Sequence, residues 1–250
     1  MKILISNDDG FDAPGIKALN AVLSEHHDTV IVAPDRNRSG ASSSLTLDNP
    51  IRLNEVEKNV YAISGTPADC IHIARSQIFH SELPDLVVCG INMGANLGDD
   101  VIYSGTVAGA IEGAFLGVPA IATSQIKANK DYLNDSAKTI LKLIESGVHE
   151  GLARHQILNI NFPDLPAQNI QGFRVTRQGH RHRDNVIITS DDPRGEEIYW
   201  LGPQLEGKSA IKGTDFEAIE AGYVSITPLT VDLTADEAFD RLRKKLQELN

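Results

Sequence analysis

Apolar and polar positions alternate along the first two thirds of the chain in two different periods. Short continuous apolar runs, "KILIS" (2–6), "TVIVA" (29–33), "DLVVCG" (85–90), "PAIAT" (119–123) and "ILNINF" (157–162), read as strands covered on both faces. Between them, apolar residues recur at helical spacing: Ile16, Leu19 and Leu23; Val107, Ile111 and Phe115; Leu133, Ala137, Ile140, Leu141 and Ile144. These stripes are expected to face the core. A further helix is predicted to start near Thr66, with Thr66 as N-cap, Pro67 in the first position and Asp69 in the first turn. Strands and helices in this alternation build βαβ units with right-handed crossovers. The expected fold is α/β and three-layered, a Rossmann-like and mostly parallel sheet flanked by helices.

Beyond about residue 163 the pattern changes. "GFRVTRQG", "EEIYWLG" and "GYVSITPL" are separated by Gly, Pro and charge-rich turns, which predicts a β-rich hairpin extension. A C-terminal helix follows, striped by Ala238, Phe239, Leu242 and Leu246. The 250 residues fit one α/β domain, with its core over about 1–165 plus 213–227, the hairpin extension over about 172–212 and a terminal segment over about 228–250.

Charge narrows the partners. Lys and Arg number 23 against 34 Asp and Glu, a net charge of −11, which repels a polyanion over most of the surface and argues against nucleic acid. A small phosphorylated ligand would need local donors or a metal cation. The N-terminal apolar run is too short for a signal peptide, and no run approaches the roughly 18 residues of a membrane span, so a cytoplasmic protein with no membrane contact is expected. Cys70 and Cys89 lack a C-x-x-C spacing and are expected to be small buried hydrophobes.

In an open parallel sheet, ligands gather at the carboxyl ends of the strands. The loops expected there carry "NDDG" (7–10), "PDRNRSGASSS" (34–44) and "INMGANLGDDVIYSGT" (91–106). Asp8 and Asp9 have no basic neighbour in sequence until Lys17, and converging carboxylates repel unless a cation joins them. With Ser39 and Asn92 they offer only oxygen ligands, which suits Mg²⁺ or Mn²⁺ better than zinc. The alternative is that one of the acids makes an Asx-turn or caps the next helix. Ser104, Gly105 and Thr106 open a helix with little bulk around its free N–H groups, suiting either a phosphate site or an ordinary cap. No G-x-x-x-x-G-K-[ST] run is present, and Gly90, Gly94 and Gly98 are spaced by four, unlike a dinucleotide fingerprint. "GHRHR" (179–183) reads as a solvated turn or subunit contact before a catalytic one. Tyr103 and Trp200 could stack on a base or serve the core or an interface, and Asp99 and Asp100 read as loop-capping or solvated acids.

Taken together and in order, "ILISNDDG", "DAPGI", "IVAPDRNRSGASSSLT", "SGTPADC", "GINMGANLGDDVIYSGTVAGA", "LNINFPD", "DPRG" with "YWLGP", and "GTDFEAI" with "GYVSITPLTVDLT" closely resemble the SurE family of survival proteins, the 5′/3′-nucleotidases. The resemblance implies metal-dependent release of phosphate from nucleoside monophosphates, with short polyphosphate as a further substrate. It implies one divalent ion per subunit, Mg²⁺ or Mn²⁺ with Co²⁺ as a further candidate, ligated by Asp8, Asp9, Ser39 and Asn92. Asn96 and the Ser104, Gly105, Thr106 turn would hold phosphate oxygens, with Asp8, Asp9 and Asn96 as the catalytic set. A homodimer or homotetramer is implied, its C-terminal segment from about residue 228 exchanged between subunits. Residues 180–190 match no family motif.

The expected chemistry is in-line attack by a water, with Asp8 or Asp9 as the nearest base and no side chain marked as acid for the leaving nucleoside. A phospho-aspartate route is disfavoured, because the D-x-D signature of haloacid-dehalogenase phosphatases would need Asp where Gly10 stands. The alternative class is a metal- and nucleotide-binding regulatory module without turnover.

Overall fold

The first apolar run forms a central strand, and each later crossover adds a neighbour. The computed structural model describes residues 1–127, 129–180, 187–201 and 211–249. In chain order these form β1 (Lys2–Ser6), α1 (Pro14–Leu23), β2 (Asp28–Pro34), β3 (Leu53–Glu57), β4 (Val60–Ile63), α2 (Pro67–Ile73), β5 (Leu86–Met93), α3 (Gly105–Phe115), β6 (Ala120–Gln125), α4 (Leu133–Glu145), β7 (Gln156–Phe162), β8 (Phe173–Val175), β9 (Ile187–Asp191), β10 (Glu197–Leu201), α5 (Asp215–Glu220), β11 (Val224–Thr230) and α6 (Asp236–Gln247). One nine-stranded sheet runs in the order β3, β4, β2, β1, β5, β6, β7, β11, β8, while β9 and β10 pair as a separate antiparallel ribbon. From β4 across to β7 every pairing is parallel, and β3 on β4 and β11 on β7 are antiparallel.

This is the expected mostly parallel α/β sheet. Its direction of growth reverses at β1: the chain builds β2 and β4 on one side, then crosses to lay β5, β6 and β7 on the other. The carboxyl ends of β1 and β5 therefore lie side by side, Ser6 in register with Cys89. Loops leaving such a switch point part to opposite faces and open a crevice.

Two apolar layers clamp the sheet. On one face Ile16, Leu19 and Leu23 of α1 and Ala137, Ile140 and Ile144 of α4 pack on Ile3, Ile5 and Val88. On the other, Cys70 and Ile71 of α2 and Val107, Ala110 and Ala114 of α3 pack on Leu4, Val87 and Cys89. Both cysteines are free and buried, as expected. Thr66 forms the predicted cap: its hydroxyl accepts from the Asp69 N–H at 3.2 Å, and Asp69 Oδ2 accepts from the Thr66 N–H at 2.8 Å, a reciprocal capping box.

Three expectations are corrected. The stripe Val107, Ile111, Phe115 is not the core face of α3: only Val107 is fully buried, Ile111 is half-buried and Phe115 is 47% exposed. The helix instead lies against the sheet through its small residues. A Cβ on Gly109 would stand 2.8 Å from Cys89 Sγ, and one on Gly113 would stand 2.9 Å from Val87 Cβ. β5 does not end at Gly90. The ladder with β6 slips between Cys89 and Asn92 and then resumes, so Asn92 and Met93 pair with Ser124 and Gln125 and lie in the strand, not in a loop. Tyr103 and Trp200 are 47% and 59% exposed, so neither serves the core. Strands β3 and β4 were not among the predicted ones; every residue of β3 is exposed, so no buried-face alternation announces it.

Candidate active site

β1 delivers its residues to the crevice in a tight turn. Asn7, fully buried, makes that turn: its Oδ1 accepts from the Gly10 N–H at 3.2 Å and its Nδ2 donates to the Gly10 carbonyl at 2.9 Å. Gly10 takes φ +113°, a conformation side chains other than glycine rarely adopt, which lets Phe11 return and donate to the Pro34 carbonyl. α1 begins at Pro14 with no side-chain cap. The Asx-turn and capping explanations for Asp8 and Asp9 therefore fail, because Asn7 and Pro14 do that work.

Asp8 is 4% exposed and its Oδ1 accepts a hydrogen bond from the Thr106 hydroxyl. Gly105 presses on it so closely that an added Cβ would stand 2.7 Å from Asp8 Cβ. Burial pushes the Asp8 carboxyl above its usual range, against the Thr106 hydroxyl and the backbone N–H groups of Asp8, Thr106 and Gly105, which pull it down. Asp9 accepts from the Met93 N–H at 3.3 Å, bringing it beside Asn92 in the chain. Burial first, and then the charge of Asp8, raise the Asp9 carboxyl. Among the described residues, no ion pair reaches either acid.

The β2 loop closes on the pair. The Arg38 N–H donates to the Asp8 carbonyl at 2.7 Å, and Ser39 follows, exposed, its N–H held by Asn37 Oδ1 at 2.8 Å. Asn92 Nδ2 donates to the Gly94 carbonyl at 2.9 Å, which leaves its Oδ1 as the group available to a cation. Among the described residues no three His, Cys, Asp or Glu side chains converge as a metal centre. A cation here would draw on two carboxylates plus the neutral oxygens of Ser39 and Asn92. Two desolvated, mutually repelling carboxylates without a basic partner fit a hard divalent ion.

Ser104 does cap α3, its Oγ accepting from the Val107 N–H at 3.1 Å. The opening turn of that helix faces Asp8, so Gly105 and Thr106 lie against the acidic pair. Asn96, 6% exposed, stands apart and is held by β6 and β7: its Nδ2 donates to Ser124 Oγ at 2.8 Å and its N–H to Asn161 Oδ1 at 3.0 Å.

Asp215 has no role in the sequence reading. It is fully buried and accepts from the N–H groups of Gly98 (2.7 Å), Gly179 (2.8 Å) and Phe216 (2.9 Å), joining the loop after β5 to α5 across 117 residues. Burial raises its carboxyl, against those backbone donors. Its sequence signals are its place in "GTDFEAI" and an acid in the first turn of a short helix. His180 Nδ1 lies 3.1 Å from Asp99 Oδ1, so the first histidine of "GHRHR" and Asp99 hold each other; Arg181, His182 and Arg183 lie outside the described residues.

A family model described as "Survival protein SurE" matches residues 3–185. A protein named 5′-nucleotidase SurE from Vibrio vulnificus (strain CMCP6) is 52% identical over 248 residues, covering 99% of this chain and 96% of its own. Its namesake from Vibrio cholerae serotype O1 (strain ATCC 39315 / El Tor Inaba N16961) is 51% identical, covering 99% and 98%. The crystal structure of SurE protein from Aquifex aeolicus superposes with a TM-score of 0.87 at 40% identity, over 98% of this chain and 99% of that one. Matched in sequence and fold from end to end, the chain belongs to the SurE family of survival proteins.

Proposed function

We propose that the chain is a metal-dependent 5′-nucleotidase, a phosphoric monoester hydrolase that converts nucleoside monophosphates to nucleoside and phosphate, with 3′-nucleotides and short polyphosphate as further substrates. The observation that carries this reading is the Asp8–Asp9 pair at the switch point, Asp8 buried and Asp9 half-buried, with no ion pair to either among the described residues. The relatives named 5′-nucleotidase support the substrate class.

Asp8, Asp9, Ser39 and Asn92 would hold one Mg²⁺ or Mn²⁺ per subunit, with Co²⁺ as a further candidate. When bound, the ion supplies a Lewis acid that offsets charge on phosphoryl oxygens and acidifies a water. The protein's own residues orient and shield. Thr106 fixes the rotamer of Asp8, and Asp9 is the more open carboxylate and the better placed of the two to take a proton from the attacking water. The Asn96 amide and the Ser104 hydroxyl, with the Gly105 and Thr106 turn, contact phosphoryl oxygens and keep the ester in line for displacement.

Free-phosphate release from 5′-AMP, with Mn²⁺ and with EDTA, tests this. Turnover that EDTA abolishes and Mn²⁺ restores is expected. Nucleotide binding with no phosphate release, the signature of a regulatory module, would contradict it.

Among the described residues no helix is long and apolar enough to cross a membrane; the setting we propose is cytoplasmic. We also propose a homodimer or homotetramer that exchanges the segment from about residue 228. Phe239, Leu242 and Leu246 form an apolar stripe on α6, 57%, 54% and 58% exposed, and the helix has no buried residue. Such a stripe calls for a partner surface.

A further inference from the structure

Asn159 and Asn161 are fully buried in β7, a strand whose other inward positions are Ile157, Leu158, Ile160 and Phe162. Placing an amide in an apolar strand is costly unless its groups are bonded. Their bonds go to one residue of the site loop, more than sixty positions away. Asn161 Oδ1 accepts from the Asn96 N–H at 3.0 Å, while Asn161 Nδ2 donates to the Asn96 carbonyl at 3.0 Å. Asn159 Nδ2 donates to the same carbonyl at 2.8 Å. The Asn161 side chain thus reads the Asn96 main chain as a neighbouring strand's peptide would.

The Asn96 side chain is fixed from the same floor. Its Nδ2 donates to Ser124 Oγ at 2.8 Å, and Ser124, fully buried, is the register neighbour of Asn161. Backbone and side chain of one loop residue are therefore set by two strands of the rigid sheet. Among the described residues, the side-chain hydrogen bonds of Asp8, Asp9 and Asn92 go elsewhere, and Asn92 meets this floor only through its main chain, as the register neighbour of Ser124.

We infer that Asn161, backed by Asn159, is a positioning residue that holds Asn96 at the height and angle needed to meet the phosphoryl group. The inference rests on the phosphate-contact role proposed above for Asn96. A purely structural amide would affect folding and leave the reaction untouched; a positioning amide acts through Asn96 alone.

Asn161→Leu keeps the number and branching of the side-chain heavy atoms and deletes both bonds. Its kcat and KM for 5′-AMP with Mn²⁺, its inhibition by inorganic phosphate, its Mn²⁺ affinity and its melting temperature are compared with wild type, alone and combined with Asn96→Ala. The expected result is a fall of about 10- to 100-fold in kcat/KM, weaker phosphate inhibition and unchanged Mn²⁺ affinity. On top of Asn96→Ala the same change should cost almost nothing more, because both act through one contact. If Asn161→Leu does not fold, Asn161→Asp serves instead, since it keeps the acceptor for the Asn96 N–H and sets an oxygen against the Asn96 carbonyl. A kcat/KM within about twofold of wild type would overturn the inference, as would a full loss repeated in the Asn96→Ala background or Mn²⁺ affinity falling in step with activity. Wild-type turnover, measured first, separates the two readings: an inactive wild type sinks the nucleotidase assignment and this inference with it, whereas an active wild type with an unaffected Asn161→Leu sinks the inference alone.

Discussion

At the scale of single residues, the site is a contest between desolvation and charge. Burial raises Asp8, and burial and then the charge of Asp8 raise Asp9; a bound divalent ion would make their ionised forms favourable together. Asp8→Asn and Asn92→Ala should each lower turnover of 5′-AMP by more than the roughly 10- to 100-fold typical of losing an outer support around a metal; steady-state kinetics at saturating Mn²⁺ checks both. Asp9→Asn should act oppositely on stability without metal. It removes like-charge repulsion, so melting in EDTA should rise, at about 2–4 °C per kcal/mol for a chain of this size, while the stabilising shift caused by Mn²⁺ should shrink or vanish. A lower melting temperature in EDTA would contradict that account. Both acids were legible in the sequence, because charged neighbours ending an apolar strand stand out on their own. The roles of Asn159, Asn161 and Asp215 were not, although the matched segments "LNINFPD" and "GTDFEAI" contain them, because each is defined by partners 36 to 117 positions away.

At the scale of elements, α3 joins the acidic turn to the sheet. Gly105→Ala would drive a methyl into Asp8, so activity should fall by roughly 100-fold, as for a displacement of about 1 Å, with a stability loss of about 1–3 kcal/mol. Kinetics and chemical denaturation measure the two separately. The same closeness explains why the helical stripe misled: periodicity weighs Ile111 and Phe115 above glycine and alanine, whereas the sheet admits only the small face. β5 was likewise read short, since its last residues become strand only by pairing again with β6 beyond the slip. Asp215 clasps the loop after β5 to α5, and burial raises its carboxyl above the ordinary value. A raised folded value means that its ionisation favours the unfolded chain: its contribution is full below the unfolded value near 3.8 and is lost as pH rises through the folded one. The melting-temperature advantage of wild type over Asp215→Asn should therefore narrow from about pH 4 toward neutrality, and an advantage that widens would refute the sign.

At the scale of the whole molecule, the alternation of strands and helices was enough to predict the layers and the edge where ligands gather, because a parallel sheet needs both faces covered. The exposed edge strand β3 escaped notice for the converse reason. α6 leaves an apolar stripe uncovered, so removal of residues 235–250 should lower the mass in solution toward that of one chain, as light scattering would report. An unchanged oligomer would show that other surfaces hold it. All of this serves one central claim, that Asp8, Asp9, Ser39 and Asn92 enclose a single hard cation. An anomalous difference map from crystals grown with Mn²⁺ tests it most directly. The account predicts one peak per subunit bounded by those four side chains; a map without a peak there, with both carboxylates turned to solvent, would contradict it.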